Sequence, residues 1–457
     1  MSNLEGALEL ARAGHDQAES DLFEELRIPS VSTLPEHRAD VRRNADWLVA
    51  RFERLGFTAS LSDVIEHGHP VLQADWRGAG ESAPTLTIYG HYDVQPPDPL
   101  DLWESPPFEP VVREGHVFAR GSSDNKGNHM AALKAAEYAL TAGGPPLNLR
   151  FLIEGEEEMS GESLPRYLRQ HSQRLKSDYT LIWDGGFAPD GRPALCTALR
   201  GIVYTELTAE GPAIDLHSGG FGGVAPNPLN TLARILGELK DRDGHITIPG
   251  FYDGIVEPGA DETRDWNRST GYEDTLKGLM QASTLEGEPG FPPVDRQWAR
   301  PTLDVNGFHG GFTDEGSKTV IAARGMAKVS MRLVPGQDPD RIFETFAEYV
   351  DELSTPGVKI SVRKLGAAPP VQLDGQSPAA RATSAAFEAA FGQPAARVRA
   401  GGSVPVTVDF QKAVGGQIVC SGLAQPGSAA HSPNENFSLD NYHRGIEMLV
   451  RLMHSLT

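Results

Sequence analysis

Apolar residues return at helical spacing in the first part of the chain. Separations of 3, 4 and 3 positions join Ala45, Leu48, Phe52 and Leu55. This period keeps side chains on one face of an α-helix. We therefore predict a helix over residues 41–55, and a similar pattern predicts helical structure over residues 8–26.

Short apolar runs bounded by Gly, Pro and polar residues alternate with these helices. They predict strands at residues 58–61, 71–76, 86–89 and 149–153, with an alanine-rich helix at 130–140. Helix–strand alternation of this kind is typical of an α/β domain with a mostly parallel sheet and helices on both faces.

The pattern changes near residue 200, where an alternating strand at 201–209 is followed by segments dense in Gly, Pro and charge. Further predicted elements are a helix at 229–239, strands at 302–305, 327–333 and 358–365, and a helix at 341–353. A helix at 377–391, a strand at 417–420 and a helix at 442–456 then resume the first pattern. We predict a catalytic α/β domain formed by residues 1–199 and 373–457, interrupted by an inserted α+β domain at 200–372.

Composition narrows the function classes. The 457 residues include 41 Lys plus Arg and 62 Asp plus Glu, which gives a net charge of −21 and disfavours nucleic acid and anionic membranes as partners. Only two cysteines are present, so neither a disulfide framework nor a cysteine-rich zinc site is expected. Because the start of the sequence lacks a signal-peptide pattern and no apolar stretch reaches membrane-spanning length, we expect a cytoplasmic protein.

Acidic residues and histidines recur at the ends of the predicted strands. They are His91, Asp93, Asp124, Glu156, Glu157, Glu158, Asp184 and His431. Ligands of parallel α/β sheets bind at the carboxyl ends of the strands. Two imidazoles and several carboxylates are enough for two divalent ions that share a bridging group. The sequence therefore predicts a metal-dependent hydrolase.

Each motif also has a simpler interpretation. His91 and Asp93 would face the same side of an extended chain, so the carboxylate could orient the imidazole, but such a pair is common. Asp124 could bridge two ions, or it could cap the alanine-rich helix from a surface turn. Three consecutive glutamates often form a solvated acidic run. On an extended backbone, however, Glu158 could bind a metal while Glu157 faces the substrate as a general base.

His217 is followed by a run of glycines that resembles an anion-binding loop. No Lys-Ser/Thr pair follows, so a nucleotide-binding P-loop is not expected. Serine and aspartic hydrolysis also lack support, since neither a G-x-S-x-G motif nor a pair of D-[ST]-G motifs occurs.

Seven motifs occur in an order that is specific when taken together. They are Gly90–Pro96, Arg120–Gly127, Glu154–Glu158, Asp215–Gly219, Gly316–Ile321, Arg332–Pro335 and Gly401–Pro405. With these motifs the chain resembles the M20 metallopeptidases, which include carnosinase-like dipeptidases, acetylornithine deacetylase and succinyl-diaminopimelate desuccinylase. The Val-Gln-Pro ending of the first motif and the long segment 244–300 resemble the dipeptidase branch more than the deacylases.

The resemblance implies a role for each candidate residue of the metal centre. His91 and Asp184 would hold one ion, and Glu158 and His431 the other, with Asp124 bridging them. Asp93 would orient His91, and Glu157 would be the general base. The ions expected first are Zn2+, and Mn2+ or Co2+ would also fit.

The resemblance also implies a substrate-binding set and a homodimer that forms through the inserted lid and dimerisation domain. His217 and Thr319 would reach the active site of the partner subunit, where His217 could stabilise the oxyanion. Arg332 would hold the substrate carboxylate, helped by Gly402 and Ser403. Two positions depart from the family pattern, since Asn125 and Ala400 stand where members often carry Asp and Glu.

The function expected from these features is hydrolysis of dipeptides, or of other short peptides with a free C-terminal carboxylate, by a metal-bridged water that Glu157 activates. A deacylase of N-acyl amino acids on the same fold is the first alternative. A non-catalytic binding protein is the second, and it would be expected to have lost a ligand or the base, whereas the full set is present here.

Overall fold

The computed structural model describes residues 2–269, 271–401 and 406–456. Up to residue 199 the helices are α1 (Asn3–Ala13), α2 (His15–Leu26), α3 (Arg38–Arg54), α4 (Lys126–Thr141) and α5 (Ser163–His171). The strands are β1 (Thr58–Ser62), β2 (Val71–Trp76), β3 (Thr85–His91), β4 (Val111–Arg113), β5 (His116–Phe118), β6 (Asn148–Glu154), β7 (Tyr179–Gly186) and β8 (Ala194–Leu199). Short 3-10 helices occur at Pro35–His37, Leu100–Leu102 and Glu157–Met159.

The middle of the chain holds a second set of elements. Its strands are β9 (Gly201–Glu210), β10 (Leu216–His217), β11 (Thr302–Gly310), β12 (Val320–Ile321), β13 (Arg324–Leu333), β14 (Lys359–Ala368) and β15 (Val371–Gln372). Its helices are α6 (Ser218–Phe221), α7 (Pro228–Glu238), α8 (Ala260–Trp266), α9 (Tyr272–Met280), α10 (Pro293–Trp298) and α11 (Pro339–Glu352). The last part holds α12 (Pro378–Phe391), β16 (Ala396–Ala400), α13 (Val406–Ala413), β17 (Gln417–Ala424), β18 (Asn436–Ser438) and α14 (Leu439–Ser455).

These elements form two compact units. Unit 1 runs up to Thr197 and continues through Leu373–Val398 and from Val406 onward. Unit 2 comprises Ala198–Gln372 and a short segment that begins at Arg399. Each unit has its own cluster of buried apolar side chains.

The sheet of unit 1 has the strand order β1-β2-β6-β3-β7-β17-β8. Its four middle strands, β6, β3, β7 and β17, are parallel to one another, whereas the flanking strands pair antiparallel. The middle strands are almost completely buried, which explains why they read as continuous apolar runs in the sequence. This architecture confirms the predicted α/β class with a mostly parallel sheet.

Helices cover both faces of that sheet. Neighbouring side chains on a strand point to opposite faces. Ile88 of β3 belongs to the apolar cluster that includes residues of α4 and α14, whereas the ring of Tyr89 packs against Phe410 of α13, with centroids 5.5 Å apart. Two adjacent residues of β3 thus contact helical layers on opposite sides.

Unit 2 is built on an antiparallel sheet with the order β11-β13-β9-β14. Buried and partly exposed residues alternate along β9 and β13, as expected for strands with one face on the core. Helices α7 and α11 pack on this sheet, and their apolar residues complete the core of the unit.

The structure differs from the sequence prediction at several elements. The helical segment 8–26 is two helices, because the chain breaks at Gly14, where an added Cβ would lie 2.2 Å from the hydroxyl oxygen of Tyr138. Strands β4, β5 and β18 form a separate antiparallel sheet that the sequence did not predict. Within the described part of the chain, no helix combines the length and apolar character that crossing a membrane requires.

Candidate metal centre

The parallel strands bring five candidate ligands to one edge of the sheet. His91 is the last residue of β3, Asp184 lies near the end of β7, and Glu158 follows β6. His431 lies beyond the end of β17, and Asp124 lies just before α4. The carboxyl ends of parallel strands meet at one edge, which explains how residues so distant in sequence become neighbours.

These residues form two ligand groups that share one member. One group consists of His91, Asp124 and Asp184, and the other of Asp124, Glu158 and His431, with the ligand atoms of each group within 4.8 Å of one another. Asp124 therefore lies between the two groups.

The two carboxylate oxygens of Asp124 are divided between the groups. Asp124 Oδ1 lies 3.1 Å from His91 Nε2, which is itself 3.4 Å from Asp184 Oδ1. Asp124 Oδ2 lies 3.1 Å from His431 Nε2, which is 3.2 Å from Glu158 Oε2. A carboxylate placed in this way offers one oxygen to each of two cations.

The electrostatics of this edge fit bound cations. Hydrogen bonds to Asp124 and Glu158 raise the pKa of His431 to about 10. Burial opposes ionisation of Asp124, but hydrogen bonds from His431 and His91 hold the pKa of Asp124 below its ordinary value. Glu158 Oε1 is buried and has no hydrogen-bond partner among the described residues. Without bound ions the protonated imidazoles balance the carboxylates, and divalent ions would take over that role once the imidazoles release their protons and bind as neutral ligands.

Glu157 lies beside both groups. It forms a third close set with His91 and Glu158. Burial, joined by the charges of Asp184 and Glu158 and opposed by that of His91, raises the pKa of Glu157 to about 8. A carboxyl group with a raised pKa in a cleft is a candidate for proton transfer.

The backbone at the glutamate run is not extended, so that part of the sequence prediction is wrong. Residues Glu157–Met159 form a 3-10 turn after Glu156. The carboxylate of Glu156 is buried and accepts hydrogen bonds from the backbone N–H groups of His69 (2.6 Å) and Ser163 (3.0 Å). The turn, rather than the alternation of a strand, separates the side chains of Glu157 and Glu158.

Asp93 contacts two of the ligand-bearing segments. Its Oδ2 accepts a hydrogen bond from the backbone N–H of Glu158 at 3.1 Å. His91 Nδ1 lies 3.0 Å from the carbonyl oxygen of Asp93 and 3.4 Å from its Oδ1. The carbonyl oxygen and the carboxylate of Asp93 therefore both face His91 Nδ1, the ring nitrogen that is turned away from Asp124.

A cavity of about 220 Å³ opens beside these residues. Its walls include Asp124, Glu157, Asp184 and His431. The small residues Gly185, Ala424 and Ala430 also line the cavity and leave it room for a small ligand.

The remaining predicted site residues that the structure describes lie in unit 2. His217 and Thr319 come together there, because the N–H of Ser218 donates a 3.0 Å hydrogen bond to the carbonyl oxygen of Thr319. His217 is exposed, and its Nδ1 accepts a hydrogen bond from the N–H of Gly219 at 2.9 Å, so its Nε2 is the nitrogen that carries the proton in the neutral ring.

Arg332 lies on β13, opposite Ile202 of β9 and Thr302 of β11. Burial, followed by the charge of Arg332, lowers the pKa of Arg200 to about 10. Gly402 and Ser403 lie outside the described residues.

Two residues near the ligands had no assigned contact in the sequence prediction. The side-chain amide of Asn125 donates hydrogen bonds to the carbonyl oxygen of Trp183 (2.9 Å) and to Asp184 Oδ1 (2.6 Å). An ionised Asp could not donate either bond. The carboxylate of Glu435 is fully buried beneath the loop that carries Asp124. The only sequence signal for Glu435 is its place four residues after His431.

Comparison with known proteins agrees with this geometry. The model of Peptidase family M20/M25/M40 matches residues 87–455. The chain is 30% identical over 468 residues to a Cys-Gly metallodipeptidase of Schizosaccharomyces pombe, covering 96% of both chains. It is 28% identical to the Beta-Ala-His dipeptidase of Homo sapiens, covering 93% of this chain and 87% of that protein. A solved M20 family metallo-carboxypeptidase from Sulfolobus solfataricus superposes with a TM-score of 0.82 and 31% identity, covering 96% and 98% of the two chains.

Proposed function

Because the chain belongs to peptidase family M20/M25/M40 and is a metallodipeptidase, we propose that it hydrolyses dipeptides and other short peptides with a free C-terminal carboxylate at a two-metal centre. The observation that carries the proposal is the division of the Asp124 oxygens between two ligand groups. The side chain of Glu157 lines the same cavity as these ligands.

In this proposal His91 and Asp184 hold one ion, Glu158 and His431 hold the other, and Asp124 contributes to both. The mixed histidine and carboxylate set suits Zn2+, and Mn2+ or Co2+ would be accepted by the same ligands. When bound, two divalent ions polarise the scissile carbonyl and lower the pKa of water. Asp93 holds the ring of His91 in the orientation that points Nε2 toward Asp124.

Glu157 serves as the general base and acid. It takes a proton from the attacking water onto a carboxylate oxygen and later delivers that proton to the leaving amine. Its raised pKa, about 8 through burial, favours holding the proton between the two steps. Bound ions would add positive charge beside Glu157, which would favour its carboxylate form before the reaction.

In this proposal unit 2 acts as a lid and dimerisation domain and carries groups that recognise the substrate. Arg332 binds the C-terminal carboxylate of the substrate, since a guanidinium matches a carboxylate with two parallel hydrogen bonds. Gly402 and Ser403 assist it. The substrate is thereby restricted to peptides that end close to the scissile bond.

A homodimer would let His217 and Thr319 act at the partner subunit's site. Unit 2 exposes large apolar side chains, which support an interface with a second copy. They include Ile214, Phe221, Val224, Val305, Phe308 and Phe312. His217 Nε2–H would donate to the oxyanion that forms at the scissile carbonyl. The low cysteine content, two in 457 residues, supports the cytoplasm as the proposed location.

The substrate class is tested by mass spectrometry of a mixture of dipeptides, tripeptides and N-acyl amino acids incubated with the metal-loaded protein. Because the relatives are named for Cys-Gly and Beta-Ala-His dipeptides, we expect loss of dipeptides and release of free amino acids. Loss of the acylated substrates alone would assign the protein to the deacylases. If no substrate is consumed with any of the three metals, the proposed function is wrong.

The base is tested with the variant Glu157→Gln, which keeps the shape of the side chain but cannot take up a proton. We expect kcat to fall by about 10²- to 10⁴-fold, while the number of bound ions stays the same because Glu157 is not a proposed ligand. Glu162→Gln, an exposed substitution just beyond the same turn, is the matched control and should retain activity. Near-normal turnover by Glu157→Gln would remove Glu157 from this role.

The shared site is tested by mixing two inactive variants, His217→Ala and Glu157→Ala, and reassembling them. If each site combines residues of two subunits, half of the dimers are mixed and each mixed dimer has one intact site. We expect activity to return to about one quarter of that of the unmodified protein. Absence of any recovery, with mixed dimers verified by native mass spectrometry, would place His217 at its own subunit's site or outside the mechanism.

A further inference from the structure

The carboxylate of Glu435 accepts five hydrogen bonds from one short loop. Its Oε2 accepts from Arg120 Nη1 at 2.7 Å and from the backbone N–H of Gly121 at 2.8 Å. Its Oε1 accepts from the backbone N–H and the hydroxyl of Ser123, both at 2.9 Å, and from the backbone N–H of Asp124 at 3.0 Å. Glu435 has no exposed surface.

These contacts determine the shape of the loop at residues 120–124. All five partners are donors, and hydrogen bonds to an ionised acceptor are stronger than those between neutral groups. Both oxygens of Glu435 are occupied by protein donors, so this residue is not itself a candidate metal ligand. The bond to the N–H of Asp124 fixes the backbone of the residue whose side chain faces both ligand groups.

Glu435 also belongs to the segment that carries His431. The N–H of Asn436 donates a 2.8 Å hydrogen bond to the carbonyl oxygen of Ser428, which closes the segment 428–436. The N–H of Ala119 donates to the carbonyl oxygen of Glu435 at 3.1 Å. Main chain and side chain of Glu435 thus both join the His431 segment to the loop of Asp124.

We propose that Glu435 is a positioning residue that sets the place of Asp124 relative to His431, so that both metal positions depend on it. The inference rests on the proposed two-metal centre. The buried carboxylate of Glu435 would align Asp124, the ligand that both metal positions share, with His431, which serves only one of them. Removal of Glu435 is therefore expected to weaken both positions, whereas removal of His431 weakens chiefly one.

The test compares Zn2+ binding by the metal-free full chain and its variants in competition with a chromophoric chelator. In Glu435→Gln one carboxylate oxygen becomes an amide donor that faces backbone donors. We expect both dissociation constants to rise by about 10- to 100-fold, as for other residues that orient metal ligands. His431→Ala should raise mainly one constant. Thermal unfolding of the metal-free variants is measured in parallel.

Two further variants separate positioning from general stability. Asp21→Asn also removes a buried carboxylate, one that pairs with Lys134 and Arg51 rather than with a ligand segment. It should lower the unfolding temperature without changing either dissociation constant. Ser123→Ala removes only the hydroxyl, which is one of the five donors to Glu435. It should preserve the fold and weaken both positions in the same direction but less.

The proposal is overturned if Glu435→Gln folds and has a lowered unfolding temperature but still binds Zn2+ with native affinity. It is also overturned if this variant loses only one metal position. If Glu435→Gln does not fold, Ser123→Ala decides: weaker binding at both positions supports the proposal, and unchanged binding overturns it. An unmodified protein that binds two ions but cleaves no peptide would refute the proposed function and leave the positioning role intact.

Discussion

His443 stacks on a second imidazole ring, and the shifted pKa of His443 makes the stability of the protein depend on pH. The rings of His15 and His443 are parallel, with centroids 3.8 Å apart. Burial, followed by the charge of His15, lowers the pKa of His443 from 6.5 to about 4, although Asp440 and Asp16 oppose the shift. Glu19 Oε1 lies 3.1 Å from Nε2 of the same ring, without the geometry of a hydrogen bond.

The sign of the effect follows from the proton balance. Between pH 6.5 and about 4 the unfolded chain binds a proton at His443 that the folded protein does not bind. Protonation of His443 in the unfolded chain therefore lowers the free energy of unfolding progressively as the pH falls through this range, and it has no effect above the upper value. We expect His443→Gln to reduce the acid-induced loss of unfolding free energy by about 1–3 kcal/mol, measured by urea unfolding at several pH values. Parallel pH curves for the variant and the unmodified protein would contradict the assignment.

At the scale of residues, the sequence predicted which side chains could bind metal, but it did not predict which residues hold those side chains in place. His91, Asp124, Asp184 and His431 were predicted because metals select imidazole and carboxylate groups, and the structure brings them together. Glu435 has no comparable signal, since its partners lie 311 to 315 positions away in sequence. A single glutamate gives no indication of which distant backbone groups it will accept.

At the scale of elements, the start of α4 is packed too closely for any side chain. A Cβ added at Gly127 would lie 2.1 Å from the carbonyl oxygen of Ser122 and 2.6 Å from the ring of Phe437. Gly127→Ala should therefore displace the loop that carries Asp124 and cost about 1–3 kcal/mol of stability. Thermal unfolding and Zn2+ binding would report the two effects.

The matched control for that substitution is Gly237→Ala. Gly237 lies in α7, is exposed, and has nothing within 4 Å of an added Cβ. Alanine favours a helix over glycine by about 0.5–1 kcal/mol, so this variant should be neutral or slightly stabilised. Equal destabilisation by both substitutions would show that close packing at Gly127 is not the cause.

Elements were predictable to the degree that local sequence determines them. Strands β2, β3 and β6 were predicted because burial on both faces demands a continuous apolar run. Strands β5 and β18 escaped prediction because each has three residues and their pairing joins parts of the chain about 320 residues apart. The break between α1 and α2 falls at Gly14, which packs against Tyr138, and the local apolar pattern does not reveal it.

At the scale of the whole molecule, metal removal should affect the two units unequally. All proposed ligands lie in unit 1, and unit 2 has a separate apolar core. Binding at a thousandfold excess over the dissociation constant stabilises a folded state by about 4 kcal/mol. We expect chelation to accelerate hydrogen exchange in β3, α4 and the segment 428–436 while the exchange of β9 and β13 is unchanged. Equal acceleration in both units would show that they unfold as one.

The placement of His431 after the inserted unit has a consequence for biosynthesis. His91, Asp124 and Asp184 all precede the insertion at residue 198, whereas His431 lies far beyond its end at residue 372. Three ligands of the first group are therefore synthesised early, but the loop that carries Asp124 is held by Glu435, which lies only four residues beyond His431. A prematurely terminated chain that lacks residues 431–435 would have neither a complete second ligand group nor the contacts that hold Asp124 in the first.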